Sequence, residues 1–212
     1  TITKNFTIER AKTASATASD KTYNGTVQTG VTGINVNLIG ILSAKDVGTY
    51  TATATPKANY AWSDGTTTSK TLTWKITEKA SASLTVTLAT TTYTYDGTAK
   101  EPVITVKDGS TTLTSGTHYT VSYSNNTNAG TATVTITMKG NYSGTITKNF
   151  TIERAKTASA TASDKTYNGS AQMGVIGTNV DLSGTTSATN VGTYTATATP
   201  KANYAWSDGT TT

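Results

Sequence analysis

The sequence predicts an all-β chain of small antiparallel sandwiches set in tandem. Three observations predict it: a long internal repeat, apolar residues at every second position, and tight-turn dipeptides between the segments that alternate. Laid on one another, residues 1–68 and 145–212 match without a gap. Of those 68 pairs 57 are identical, and the 11 differences all fall between positions 26 and 46. The period holds two related halves, type A at 11–79 and type B at 80–154. Their kinship shows in "VGTYTATATPKANY" (47–60) against "AGTATVTITMKGNY" (129–142), and in "TYNG" (22–25) against "TYDG" (94–97). Residues 1–10 read as the closing strand of a preceding type-B repeat, because they recur unchanged at 145–154. Residues 155–212 read as an incomplete type-A repeat that lacks its last strand.

Each strand is read from a period of two. In "TATVTITMK", Ala132, Val134, Ile136 and Met138 alternate with threonines. In type A the inward set is Tyr50, Ala52 and Ala54, followed near the repeat's end by Leu72, Trp74 and Ile76. One face is expected to be buried and the other to carry Thr and Lys. Turns are expected at Asn24-Gly25, Asp64-Gly65, Asp96-Gly97, Asp108-Gly109 and Asn168-Gly169. No stretch keeps a helical apolar period with caps, so helix should be nearly absent. At about 70 residues a repeat is a small core, filled by Trp62, Trp74, Phe150 and the strand tyrosines. The joints "ITEKASASL" and "TIERAKTAS" contain neither Pro nor a Gly/Ser run, so the repeats are expected end to end in a stiff rod.

Composition supports strands and bounds the function. Thr supplies about a quarter of the chain, beside 18 Gly, 11 Tyr and only 3 Pro; β-branched and aromatic side chains suit a pleated, half-buried surface. The 17 basic and 12 acidic residues give a net charge of +5, but the lysines are scattered, and nucleic-acid footprints come as clusters. No apolar run is long enough to insert this segment in a membrane. The chain has no Cys, which excludes disulfides and thiolate metal sites.

The strings "TYTYDGTAKEPVITVKDGSTTLTSGTHYTVSYSNNTNAGTATVTITMKGNYSGTITKNFTI" and "VGTYTATATPKANYAWSDGTTTSKTLTWKI" resemble the YDG/MBG-type tandem repeats of bacterial cell-surface and adhesin proteins. The resemblance runs over essentially the whole chain. It implies immunoglobulin-like sandwiches, an extracellular address (cell surface or secreted), and a structural stalk or adhesion role. It brings no catalytic residues to transfer and no cofactor.

Candidate chemistry is sparse. The single His118 has no nucleophile motif beside it, and the Asp-Gly pairs lack the multi-carboxylate spacing of a calcium loop. Tyr60 and Trp62, repeated as Tyr204 and Trp206, share a strand face. They are either the end of the core or a stacking surface for a sugar ring, which is the carbohydrate-binding alternative. Lys148 shares parity with Ile146, Phe150 and Ile152, so alternation points it inward. It reaches the sheet rim, or a bulge shifts the phase of the strand, or it joins an Asn through an isopeptide bond. Ile34, Ile39, Ile41 and Leu42 become Thr178, Ser183, Thr185 and Thr186 in the second copy, so these positions are expected in solvent or loops, or as an apolar contact patch peculiar to the first copy. Ile2, Phe6 and Ile8 alternate in the front strand. They are expected either to be the remnant of a preceding domain or to complete another repeat, so that the chain's partners are neighbouring repeats or other copies of itself.

Overall fold

The computed structural model describes all 212 residues. It is all-β: several small sheets, no α-helix, and one 3-10 turn at Ser81–Ser83. The chain forms two compact units. The first takes Thr1–Leu84, Leu113–Thr120 and Thr137–Thr145; the second takes Thr85–Thr112, Val121–Ile136 and Ile146–Thr212.

The main sheet of the first unit has four strands in the order Lys21–Thr22, Lys70–Thr77, Gly48–Pro56, Val36–Gly40. The alternation in the sequence sets its faces. Ala52 and Ala54 on one strand, with Trp74 and Ile76 on its neighbour, are buried, while the intervening threonines and Lys75 are not. Tyr50 lies opposite Trp74 and Ala52 opposite Leu72. Two antiparallel pairs, Ser15–Ala18 with Val31–Ile34 and Gln28–Thr29 with Ser43–Ala44, and one parallel pair, Lys79–Ala80 with Tyr142–Ser143, accompany it. A core of Ala14, Val36, Ala54 and Trp62 takes Leu38, Tyr60 and Leu72 against it. On the wet faces hydroxyls meet across strands, as Thr17 and Thr32 do at 3.1 Å.

A sheet drawn mostly from the second unit, in the order Thr92–Thr94, Thr145–Glu153, Gly130–Met138, Tyr119–Ser124, repeats that plan. A three-stranded sheet of Thr85–Leu88, Ile104–Asp108 and Thr111–Thr112 accompanies it. Ala132, Val134, Ile136 and Met138 are all buried, as their alternation predicts, and Ala132 packs with Phe150 and Ile152. In residues 155–212 the pairs Ser159–Ala162 with Val175–Thr178 and Val180–Gly184 with Ala196–Pro200 recur in the registers of the first copy.

Pairing corrects one expectation. The sheets are mixed, not purely antiparallel: Lys21–Thr22 runs parallel to Lys70–Thr77, and Thr92–Thr94 runs parallel to Thr145–Glu153. A parallel neighbour needs a long crossover, and here the whole intervening repeat serves as one. Apolar alternation fixes which face a strand buries but carries no sign of its direction.

Turns follow the Asx-Gly signals. Asn24 Oδ1 accepts the Thr26 N–H at 2.9 Å, and Asp64 and Asp96 hold Thr66 and Thr98 in the same way. Gly25, Gly65 and Gly97 take the positive φ that such turns require.

Candidate functional site: the repeat joints

The kinship strings end on Asn-Tyr, and both of these dipeptides sit at a joint. In the first unit, Lys79 of the type-A segment pairs in parallel with Tyr142, and its N–H donates to the Asn141 carbonyl at 3.0 Å. The Asn141 side chain then spans to the loop before the Gly48–Pro56 strand. Its Oδ1 accepts the Val47 N–H at 2.8 Å, and its Nδ2 donates to the Asp46 carboxylate at 2.9 Å. Tyr142 meets Tyr23 edge to face, with ring centroids 5.4 Å apart.

The second unit repeats the arrangement with different residues. Ala155 bridges to Tyr204, and its N–H donates to the Asn203 carbonyl at 3.0 Å. Asn203 Oδ1 accepts the Ala129 N–H at 2.9 Å, and its Nδ2 donates to Asn128 Oδ1 at 3.0 Å. Tyr204 stands edge to face on Tyr95 at 5.4 Å. One asparagine thus satisfies a loop N–H that would otherwise face only water, while the tyrosine pair adds an aromatic contact. Arg154 finishes the joint by donating from Nε to the Ala202 carbonyl at 2.9 Å, and Arg10 does the same to Ala58. The clasp was readable only in part. The shared string begins at the captured N–H (Val47, Ala129) and ends at the capturing Asn-Tyr, but a single sequence does not say that those two ends meet in neighbouring repeats.

The residues singled out from the sequence fall as follows. Trp62 is only 4% exposed; its Nε1 donates to the Thr68 carbonyl, and the Lys70 ammonium lies 4.6 Å over its ring. Tyr60 packs half-buried on the same core. Tyr204 is engaged with Tyr95, and Trp206 is half-buried. No flat, exposed pair of rings results in the first copy. Lys148 is exposed although it shares the parity of buried Phe150 and Ile152. On that face Ile146 is half-buried and Phe150 and Ile152 are buried, with Lys148 exposed between them, so parity sets a side chain's face but not whether the side chain is covered. His118, half-buried, accepts the Thr114 N–H at Nδ1 and stands edge to face with Tyr142. No group of three or more His, Asp or Glu is placed to hold a metal ion. Ile34 and Ile39 are exposed on their strands, Ile41 is exposed beyond them and Val36 is buried, as the swaps between the copies predict, whereas Leu42 is half-buried. Ile2, Phe6 and Ile8 belong to no strand and are 84–86% exposed.

One groove of about 380 Å³ opens in the second unit, between Ser163, Tyr167, Gly174, Thr186, Val191 and Tyr194. The matching place in the first copy holds the Lys70–Thr77 strand. There the Trp74 ring lies against Gly30, so close that a Cβ on Gly30 would stand 2.0 Å from ring atoms. Trp74 Nε1 donates to the Ile41 carbonyl at 2.9 Å, and the ring meets Tyr50 at 4.9 Å.

Compared with protein-family models, curated proteins and solved structures, the chain matches none.

Proposed function

We propose that this chain is a structural segment, a stalk or fibre module, of an extracellular bacterial surface protein. Its repeats are immunoglobulin-like sandwiches, and it does no catalysis. The observation that carries this reading is the twice-built clasp: Asn141 and Asn203, with Tyr142 and Tyr204, join successive repeats by one chemistry. Polar and aromatic side chains of the kind that elsewhere make a binding site are here engaged in coupling repeat to repeat. The YDG/MBG-like strings supply the bacterial-surface setting. A Thr-rich surface with charge spread thinly suits a spacer that must stay soluble without attracting specific partners.

Single-molecule pulling of the chain from its two ends tests the mechanical part. Each complete repeat should give its own unfolding peak, with a contour-length gain of about 240 Å for ~70 residues less the end-to-end span of the folded repeat. A featureless extension would overturn it. Antibody labelling of intact cells of the source organism tests the extracellular part, and labelling seen only after lysis would refute that.

A further inference from the structure

We propose that Asn24 and Asn168 are sites of spontaneous covalent self-modification, in which the main-chain nitrogen of the next glycine attacks the side-chain amide and water completes its conversion to a carboxylate. The inference is independent of the stalk reading and needs no partner beyond water.

Asn24-Gly25 and Asn168-Gly169 are exposed Asx turns, and their parts stand where an intramolecular attack needs them. The electrophile is the carboxamide carbon of the asparagine. Asn24 Oδ1 accepts the Thr26 N–H at 2.9 Å and the Thr26 hydroxyl at 2.9 Å, so donors already face the oxygen on which negative charge grows during attack. At Asn168 the Ser170 N–H donates to Oδ1 at 3.0 Å. The nucleophile is the glycine nitrogen. No acceptor in the protein holds the N–H of Gly25 or of Gly169. A Cβ on either glycine would meet nothing within 4 Å, so nothing crowds the ring closure.

The Gly25 nitrogen gives its proton to water and bonds to Asn24 Cγ. The Cγ–Nδ2 bond then breaks, and Nδ2 leaves as ammonia with a proton returned from water. The cyclic imide that remains takes up one water. Opening at Cγ gives aspartate; opening at the main-chain carbonyl gives isoaspartate, whose backbone runs through the side-chain carbon. Nothing is oxidised or reduced, and each event lowers the net charge of +5 by one. The aspartate product turns the "TYNG" of type A into the "TYDG" that type B carries. Asp64 and Asp96 show that a carboxylate keeps such a turn, by accepting from Thr66 and Thr98. The isoaspartate product lengthens the backbone beside Tyr23, whose ring meets Tyr142, so it is the form that loosens that joint.

Elsewhere one of the parts is missing. In Asp64-Gly65 and Asp208-Gly209 the glycine N–H is held, by the carbonyls of Trp62 and Trp206, each at 2.8 Å. In Asp96-Gly97 the glycine N–H is free. There the Lys100 ammonium, and then Thr98, hold the Asp96 carboxyl below its ordinary pKa, and a carboxylate is a poor electrophile. Asn35, Asn141 and Asn203 precede Val or Tyr, and each has its Nδ2 engaged, with Thr13, Asp46 and Asn128.

Peptide mapping by mass spectrometry, on the folded full chain held at mildly alkaline pH, tests this. Asn24 and Asn168 should take on the mass of an acid, partly as isoaspartate and faster at higher pH, while Asn35, Asn141 and Asn203 stay amides. Thr26→Val removes the hydroxyl donor and leaves the N–H. Asn24 should then convert about threefold more slowly, a small effect because water replaces a donor in an exposed turn, and Asn168 at the parent's rate. Two further variants separate the turn from the dipeptide. Asp96→Asn puts an amide beside a free glycine N–H and should convert as Asn24 does. Asp64→Asn puts one beside a held N–H and should convert about tenfold more slowly. An Asn24 that stays an amide as long as Asn141 does would overturn the proposal, and so would equal rates at positions 64 and 96 in these variants.

Discussion

Tyr23 and Tyr167 occupy the same place in two nearly identical stretches, yet the first is buried and the second is mostly in water. The framework around them is shared: the pairs at Ser15–Ala18 and Ser159–Ala162 keep one register, and Val36 and Val180 are equally buried. Two things differ: the Lys70–Thr77 strand, and the Tyr142 ring, which meets Tyr23 edge to face in the first copy only. Where that strand is present, Gly48–Pro56 is a strand of nine residues; where nothing lies alongside, the counterpart shortens to Ala196–Pro200. Tyr194 then has no Trp beside it. The comparison teaches that a type-A repeat holds its outline through its early hairpin pairs, while its deep core depends on one late, Trp-bearing strand.

The largest test of that statement is Trp74→Ala. Removing a buried Trp side chain costs about 3–5 kcal/mol, and the loss should appear in hydrogen exchange of residues 11–77 but not of 155–212. A paired glycine experiment sharpens it. Gly30→Ala drives a Cβ into the indole and should cost about 1–3 kcal/mol by overpacking. Gly174→Ala meets open space and should change stability by less than about 0.5 kcal/mol. Equal effects from the two glycine variants would mean that the ring seat is not what separates the copies.

A smaller effect is expected at the joints, where the two clasps differ in one partner. Asn141 donates to a carboxylate, Asp46, whereas Asn203 donates to the neutral Asn128. Both are partly exposed, so the charged case is only modestly stronger. Asn141→Ala should cost about 1–2 kcal/mol and Asn203→Ala about 1 kcal/mol, read from denaturant midpoints. A double-mutant cycle with Asp46→Ala isolates the pair; zero coupling would show that the backbone N–H of Val47 is the only partner that matters.

At the Asp-Gly turns the two copies should not differ. The Thr66 hydroxyl and then its N–H hold the Asp64 carboxyl below its ordinary pKa, and the Thr210 N–H and then its hydroxyl do so for Asp208. A carboxyl with a lowered folded pKa adds stability that is fully present above the ordinary carboxylate range and lost as pH falls through the lowered value. Carboxyl titration by NMR should show both aspartates titrating below a model peptide, by similar amounts. Asp64→Asn should remove the acid sensitivity of its turn while leaving that at Asp208 intact. A large difference between the two would show that the turn senses the neighbouring Lys70–Thr77 strand through Lys70, 3.9 Å from Asp64.

Much of this architecture was legible because strands and tight turns are local. The inward set Ala132, Val134, Ile136 and Met138, and the Asx-Gly turns, follow from a period of two and from left-handed backbone preference, both readable within a few residues. The parallel neighbours were not legible, since Lys21 meets Ile76 across more than fifty residues of chain, and side-chain alternation is the same for either strand direction. Lys148 was left open for a related reason: covering a face takes a second layer, and a strand's own pattern does not say which side chains on that face the layer reaches. Asn141 was visible only as a polar residue in a Thr-rich turn. Its role depends on a backbone N–H 94 residues away.

The smallest expected effect lies where the two copies differ most in sequence. Ile39 is 71% exposed and lies opposite Thr53, and Ser183 takes the same position opposite Thr197. Strand preference favours Ile over Ser by a fraction of a kcal/mol on such a surface, because a β-branched side chain suits the pleat. Little apolar area is withdrawn from water there, so the hydrophobic contribution is small. Ile39→Ser should therefore change stability by no more than about 0.5 kcal/mol, and Ile34→Thr should behave alike. Calorimetric melting of the two variants and the parent checks this. A loss well above that size would place the isoleucines in a contact on the first copy that the second, with Thr178 and Ser183, does not make. The drift between the copies would then mark a further difference in what each one touches, beyond the Lys70–Thr77 strand and the Tyr142 ring.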